Sequence, residues 1–261
     1  MTRVDVTGSG EPLVLIHGLA TTRSIWRHVA PRLAATRRVV TLDVPGFGAA
    51  RPVGRGFELE AVAADIADSL RESAVPEPYD LVGHSMGGAV ALTLAAREPD
   101  AVRSLVLVSP AGLRPIPFLG AAALGMAAEV YIPLRRRAAA LAGWSWGRRL
   151  LMANGVVDAG SLQPAVVRQL VSASDGARRI GPALSTVASA DLRSALATLP
   201  MPVGAVWGRG DRVIPPGGVK TVRHLRPDSV CEVIDGAGHI SMVEQPGAFV
   251  DALERVLVAI S

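Results

Sequence analysis

The chain has 261 residues, of which 49% are hydrophobic and 19% are charged, so it can bury one large core plus a small appendage. Its formal net charge is +4, and no nucleic-acid reader motif or interleaved aromatic pattern accompanies the basic residues, which disfavours nucleic-acid binding. The single cysteine, Cys231, excludes an internal disulfide.

The first residues predict a strand rather than a targeting segment. Residues 1–6 begin a strand-like pattern at once, with no basic region leading into an apolar one. We therefore expect a cytoplasmic protein.

Strand and helix patterns then alternate along the chain. Apolar runs predict strands near residues 13–16, 38–42 and 79–83, and helical periodicity separates them near residues 24–35 and 58–74. Another strand, over residues 103–109, follows the next helical stretch. Alternation of this kind predicts an α/β fold with a mostly parallel sheet and helices on both faces.

The alternation is interrupted once. After Pro110 no strand pattern appears until Val203, and the residues between are rich in Ala, Leu and Arg with helical periodicity. A structureless loop of that length is uncommon inside a compact domain. We therefore predict a helical cap over residues 111–195, inserted into a core domain of residues 1–110 and 196–261.

The most informative segment is the run Gly83-His84-Ser85-Met86-Gly87, which follows a strand pattern and precedes a helical one. This is the context of a nucleophile elbow, where a serine lies on a strained strand-to-helix turn. Glycine at 83 and 87 lets the neighbouring backbone pass close to that turn. The N–H of Met86 would point at the space where an oxyanion forms. A turn without chemistry is the alternative for a lone five-residue match.

Two later loops contain candidates for the groups that would activate Ser85. A serine nucleophile needs a general base that is oriented by a carboxylate. Asp211 and His239 each follow the end of a predicted strand, where open α/β sheets assemble their sites. Asp235 lies shortly before His239 and is the weaker choice for the carboxylate. Near the N-terminus another strand leads into a Gly-Leu turn, where the N–H of Leu19 is the natural second oxyanion donor.

Together these motifs resemble the α/β-hydrolase superfamily, and specifically its capped serine-hydrolase branch of esterases and lactonases. The resemblance implies that Ser85 is the nucleophile, His239 the general base and Asp211 its orienting partner. It also implies that the N–H groups of Leu19 and Met86 bind the oxyanion. The matching runs are His17-Gly18-Leu19, Asp43 to Gly48, Gly83 to Gly88, Gly208 to Pro215 and Gly238-His239.

The remaining polar residues near these motifs have structural interpretations. We expect His17 to shape the oxyanion loop, His84 to occupy the variable position of the elbow, and Asp43 to be a turn residue before a Pro-Gly pair. None of the histidines resembles part of a metal site, and we expect neither a metal nor a cofactor.

A long apolar stretch, Ile116 to Leu134, lies in the predicted cap. It contains one acidic residue, two prolines and many small residues, so we expect a cap helix packed over the pocket rather than stable membrane insertion. With Met126, Trp144 and Trp146, it is expected to line an apolar acyl or ring pocket above Ser85. Packing of the tryptophans against the core is the alternative.

Positive charge is concentrated in the same segment, which has ten arginines against four acidic residues. This charge predicts either attraction of anionic substrates or contact with an anionic membrane. The alternative is compositional, because the chain has one lysine against 26 arginines, and arginines on a cap helix usually form its solvated face. We favour the compositional interpretation.

The resemblance implies a cofactor-independent serine hydrolase that acts through an acyl-enzyme on Ser85. Its substrate is expected to be a small to medium apolar ester or lactone, and thioesters suit the same chemistry. A C–C bond hydrolase of ring-cleavage products is the first alternative, weakened by His84 at the elbow and by the absence of a tryptophan soon after His239. A biosynthetic cyclase or a ligand receptor on the same scaffold is the second. Haloalkane and epoxide chemistry uses an aspartate nucleophile on this fold, and Ser85 argues against both.

Overall fold

A computed structural model describes residues 4–53, 56–173 and 180–261. Within these ranges one sheet contains seven strands: β1 (Val4–Thr7), β2 (Pro12–Ile16), β3 (Arg38–Leu42), β4 (Tyr79–His84), β5 (Val102–Val108), β6 (Val203–Gly208) and β7 (Val230–Ile234). Their order across the sheet is β1-β3-β2-β4-β5-β6-β7.

All neighbouring strands are parallel except β1, which pairs antiparallel with β3. The register places Ile16 of β2 beside Gly83 of β4, and Val108 of β5 beside both His84 and Val206. The carboxyl ends of β2, β4, β5, β6 and β7 therefore lie at one edge of the sheet. Loops that leave this edge can bring together residues distant in sequence.

Eleven α-helices are described in the same ranges. They are α1 (Ala30–Leu33), α2 (Leu59–Glu72), α3 (Met86–Arg97), α4 (Phe118–Arg137), α5 (Ser145–Leu151), α6 (Pro164–Ser172), α7 (Ile180–Ser189), α8 (Arg193–Thr198), α9 (Gly218–Leu225), α10 (Ser241–Glu244) and α11 (Pro246–Ala259). Short 3-10 turns lie at Arg23–Trp26, Pro99–Ala101 and Ala139–Gly143.

Helices cover both faces of the sheet, as predicted. Strand β2 is fully buried, with Leu13 and Leu15 in one apolar layer and Val14 and Ile16 in the other. Alternate side chains of a strand point to opposite faces, so a strand that is buried on both sides is apolar throughout. One layer contains α2, α3 and α9, and the other contains α1 and α11.

The segment between β5 and β6 is helical in its described residues and contains α4 to α8. Helix α4 packs on α7 through small residues, and a Cβ at Gly125 would lie 2.6 Å from the carbonyl oxygen of Gly181. The predicted boundary at residue 195 falls inside α8, whose Leu196 is buried with the core layer. Of the charged residues counted in this segment, Asp175, Arg178 and Arg179 lie outside the described residues.

The predicted fold class is confirmed, while two local predictions differ from the structure. The helix expected over residues 24–35 is a 3-10 turn followed by the four-residue helix α1, because Pro31 can occupy only the first turn of a helix. The helix expected to pack over a pocket is mostly exposed: 17% of the residues in the most apolar 18-residue window of α4 are buried. By length and composition alone α4 could cross a membrane.

Candidate active site

Ser85 lies between the end of β4 and the start of α3, in a backbone conformation that L-residues rarely adopt, with φ of 56° and ψ of −119°. Hydrogen bonds on both sides maintain this conformation. The Ser85 N–H donates to the carbonyl of Val108 at 3.0 Å, and its own carbonyl accepts from the N–H groups of Gly88 at 2.9 Å and Ala111 at 3.0 Å. The strain is therefore offset by bonds to β5, to α3 and to the chain beyond β5.

The glycines of the elbow are required by contact with other backbone. A Cβ at position 83 would lie 2.3 Å from the carbonyl oxygen of Gly87. A Cβ at position 87 would lie 2.4 Å from the carbonyl oxygen of His17 and 2.5 Å from that of Ile16. These contacts agree with the steric interpretation made from the sequence, and they identify the end of β2 as the segment that passes so close to the elbow.

Asp211 and His239 meet although 28 residues separate them. Nδ1 of His239 donates to Oδ2 of Asp211 at 2.8 Å. The other carboxylate oxygen, Oδ1, accepts from the backbone N–H groups of Val213 at 2.9 Å and Ile214 at 2.8 Å. Both oxygens are thus held, and the bond to Nδ1 fixes the imidazole tautomer that leaves Nε2 able to accept a proton.

The buried carboxylate is kept ionised by its partners. Burial alone would raise the pKa of Asp211, but the hydrogen bond and charge of His239 and the N–H of Ile214 outweigh burial and hold this pKa below its ordinary value. A carboxylate that stays ionised can stabilise an imidazolium on His239.

His84 links the elbow to the loop that contains His239. Its Nε2 donates to the backbone carbonyl of His239 at 3.0 Å, and the two ring centroids are 4.8 Å apart. Since Ser85 follows His84 directly, this bond places the elbow beside His239. Burial, together with the charge of His239, lowers the pKa of His84 to about 3, so this ring is neutral. The sequence interpretation of His84 as the variable elbow residue missed this role, for which no sequence motif gives a signal.

His17 holds the loop that contains Leu19. Its Nε2 accepts from the N–H of Val44 at 2.9 Å, and its Nδ1 donates to the carbonyl of Gly18 at 2.8 Å. Burial lowers the pKa of His17 to about 4, against the effect of the Gly18 bond, and the ring is neutral. The predicted role of His17 in shaping this loop therefore agrees with its contacts.

The same loop approaches Ser85 closely. A Cβ at Gly18 would lie 3.0 Å from Cβ of Ser85 and 2.9 Å from Nδ1 of His84. The N–H of Leu19 follows this contact, and the N–H of Met86 is at the first residue of α3. In the described chain neither N–H has a backbone acceptor. Both N–H groups therefore remain available to an acceptor outside the backbone.

Asp43 does more than form a turn. Its Oδ1 accepts from the N–H of Arg23 at 2.8 Å, its Oδ2 accepts from the N–H of Ala49 at 3.0 Å, and the guanidinium of Arg23 pairs with the same carboxylate. A Cβ at Gly48 would lie 2.5 Å from this carboxyl group. Asp43 therefore ties the loop after β3 to the 3-10 turn that follows the His17 loop.

Glu244 is a site residue that the sequence analysis missed. Its Oε2 accepts from the N–H of Gly238 at 2.6 Å, and its Oε1 accepts from the N–H groups of Val157 at 2.7 Å and Asp158 at 2.9 Å. Nearby, the N–H of Ile240 donates to the carbonyl of Gly155 at 3.0 Å. The segment 155–158, between α5 and α6, is thereby fastened to the loop that contains His239.

The predicted pocket residues are not enclosed. Met126, Trp144 and Trp146 are 68%, 57% and 55% exposed, and the two indole rings stack on each other with centroids 6.2 Å apart. Their exposure does not fit the lining of an enclosed pocket, because α4 turns Met126 away from the helix it packs on. Asp235, the weaker candidate for the acid, is exposed and pairs with Arg209.

The two buried neutral histidines predict how stability depends on pH. In the unfolded chain they titrate near 6.5, whereas in the folded protein His17 titrates near 4 and His84 near 3. Between these values the unfolded chain binds more protons, so the free energy of unfolding falls as the pH drops below about 6.5. The slope should approach ~1.4 kcal/mol per pH unit for each histidine. Urea unfolding between pH 7 and 4.5 measures it.

Replacing one of these histidines isolates its share of the slope. His84→Gln keeps an amide donor for the His239 carbonyl but removes the titrating ring, so its stability should decline less steeply with acid than that of the parent protein. His224→Gln, which removes an exposed histidine on α9, is the matched control. Identical slopes for His84→Gln and the parent would contradict the assignment.

Comparison with known proteins identifies the family of the chain. The family described as the alpha/beta hydrolase fold matches residues 11–246. The chain is 32% identical over 248 residues to the pimeloyl-acyl-carrier protein methyl ester esterase of Methylococcus capsulatus, with 91% of each protein covered. It is 41% identical over 116 residues to the 2-hydroxymuconate semialdehyde hydrolase of a Pseudomonas species, which covers 43% of this chain and 41% of that protein.

A solved structure has the same fold over the whole chain. The thermophilic esterase from Thermogutta terrifontis superposes with a TM-score of 0.78 at 23% identity, covering 100% of this chain and 94% of that one. At 23% identity this superposition shows a shared fold. The family is shown by the family match, which covers residues 11–246. The resemblance seen in the motifs is thus confirmed, and the chain belongs to the alpha/beta hydrolase fold family.

Proposed function

We propose that this hydrolase is a serine esterase or lactonase that acts through an acyl-enzyme on Ser85, with thioesters as further substrates. One observation is central to the proposal: His84 joins the loop of the 2.8 Å His239–Asp211 bond to the strained Ser85, which the His17 loop also contacts. Nucleophile, base, orienting acid and oxyanion donors are the complete set that acyl transfer requires.

The proposed reaction has two halves. In the first, Nε2 of His239 accepts the proton of the Ser85 hydroxyl as Oγ attacks the carbonyl carbon, and the N–H groups of Leu19 and Met86 stabilise the oxyanion. His239 then protonates the leaving alcohol, and an acyl-enzyme remains. In the second half, His239 activates a water molecule that attacks the acyl-enzyme, and Ser85 recovers its proton. Asp211 stays ionised and stabilises the imidazolium in both halves.

We also propose that residues 111–195 act as a cap over this site. Three N–H bonds to Glu244 and the bond from Ile240 to Gly155 fasten the segment 155–158 to the loop that contains His239. Gly210 supports the same arrangement, since a Cβ there would lie 2.4 Å from the side chain of Val157. The cap therefore contacts both loops that position the base and its acid.

The coverage of the relatives favours ester hydrolysis over C–C bond hydrolysis. The methyl ester esterase of Methylococcus capsulatus matches over 91% of this chain, whereas the semialdehyde hydrolase, which is the observation that favours C–C cleavage, matches over 43%. The values of kcat/KM for methyl esters of aliphatic acids and for 2-hydroxymuconate semialdehyde distinguish the two. A higher value for the semialdehyde would replace the ester proposal with C–C hydrolysis.

Ser85→Ala should lower kcat for an activated ester by several orders of magnitude and abolish labelling by a fluorophosphonate probe. The fold should be retained because this hydroxyl is partly exposed and contributes little to the core. Ser145→Ala, at an exposed serine on α5, is the matched control and should keep both signals. Labelling that persists in Ser85→Ala would assign the nucleophile to another residue.

Asp211→Asn should lower kcat by roughly 10⁴-fold, because the amide no longer fixes the productive tautomer of His239. Asp235→Asn provides the comparison, since its carboxylate is exposed and pairs only with the exposed Arg209 in the described chain. Steady-state kinetics on one ester should rank Asp211→Asn far below Asp235→Asn. The reverse ranking would make Asp235 the triad acid.

Glu244→Gln should lower kcat/KM by about tenfold and the free energy of unfolding by about 1–3 kcal/mol, because the amide nitrogen would face a backbone N–H that the carboxylate now accepts from. Kinetics and urea unfolding measure the two effects. Glu232→Gln is the matched control, since this carboxylate pairs on the surface with Arg255 at 2.9 Å. A Glu244→Gln enzyme with unchanged kinetics would show that the hydrogen bonds to Glu244 do not position His239.

A further inference from the structure

One face of α4 is apolar and exposed over about four turns of the helix. Leu119, Met126, Val130 and Leu134 follow one another at intervals of seven, four and four residues, which places them on the same side of the helix. Their exposed fractions range from 61% to 81%. We call these four residues the outward face. A helix face in water is normally polar, so an apolar stripe of this length requires a covering surface.

The opposite side of α4 is already occupied. Ala121, Gly125 and Ala128 are buried, and this side packs on α7. The acidic residue of the helix is on that side as well, because Oε1 of Glu129 accepts from the N–H of Gly181 at 2.7 Å. The outward face thus lacks a carboxylate, and the described chain does not cover it.

Positive charge borders the outward face at its C-terminal end. Arg136 and Arg137 are exposed in the last turn of α4, and Arg149 is exposed on α5. In the described chain no carboxylate pairs with Arg137 or Arg149. The stacked, exposed rings of Trp144 and Trp146 lie between these arginines in the sequence.

We propose that the outward face of α4 binds the surface of an anionic lipid bilayer. An apolar stripe that ends in exposed arginines is the pattern of helices that lie in the headgroup region, where the apolar side chains enter the acyl boundary and the cations contact anionic lipid. Peripheral binding fits better than spanning, because α4 remains packed on α7 and ends in three arginines.

Charge distinguishes the bilayer from a second copy of the chain. Residues 111–195 contain ten arginines and four acidic residues, so two copies meeting through this segment would bring positive surfaces together. An anionic bilayer attracts the same surface. The inference goes beyond the proposed hydrolysis and is independent of it, since none of the residues that bind lipid takes part in the reaction at Ser85.

The test is sedimentation of the full chain with vesicles of phosphatidylcholine alone or mixed with phosphatidylglycerol. We expect binding to the anionic vesicles, a blue shift in tryptophan emission from Trp144 and Trp146, and at least about tenfold weaker binding to phosphatidylcholine. The double variant Met126→Ser and Val130→Ser should weaken anionic binding by at least about tenfold. Arg137→Gln should reduce the preference for anionic lipid.

Matched variants keep the outcome interpretable. Val258→Ser removes an apolar side chain that is 74% exposed on α11, and it should bind vesicles like the parent protein. Ser85→Ala should also bind normally, which separates this proposal from hydrolysis. Absence of binding at any phosphatidylglycerol content would overturn the proposal. So would a concentration-dependent dimer in sedimentation velocity that the double variant abolishes, since the outward face would then bind a second copy.

Discussion

The site depends on one constraint: three backbone segments meet at the elbow more closely than a side chain would allow. Gly83 contacts the first turn of α3, Gly87 contacts the end of β2, and Gly18 contacts Ser85 itself. Hydrogen bonds to β5 and to Ala111 then maintain the left-handed conformation of Ser85. The hydroxyl, the first N–H of α3 and the His17 loop are brought together because no Cβ separates them.

Around this contact, histidines have different roles because their partners differ. His17 and His84 are buried and neutral; His17 holds a backbone loop with both ring nitrogens, and His84 holds one with Nε2. His239 differs in having Nδ1 on a carboxylate that is itself held by two N–H groups. The same side chain is therefore a structural link in two places and a candidate base in the third, according to its hydrogen-bond partners.

The helical segment between β5 and β6 has two distinct relations to its surroundings. Its segment 155–158 is fixed to the His239 loop by Glu244, so part of it belongs to the candidate active site. Helix α4 instead packs on α7 with one face and exposes an apolar face to the outside. The contacts of Glu244 fix the loop that contains His239, whereas the packing of α4 leaves an apolar surface exposed to water.

The sequence alone determined the α/β class, the parallel strands and the triad candidates Ser85, Asp211 and His239, because apolar periodicity and the glycine spacing of an elbow are local properties. Only the tertiary structure decided the antiparallel pairing of β1, the links made by His84 and Glu244, and the exposure of Met126, Trp144 and Trp146. Glu244 meets Val157 across 87 residues, and α4 is apolar on both of its faces. Local patterns show which side chains are apolar or polar. The packing of distant segments determines which helix face is buried and which acceptor a given N–H binds.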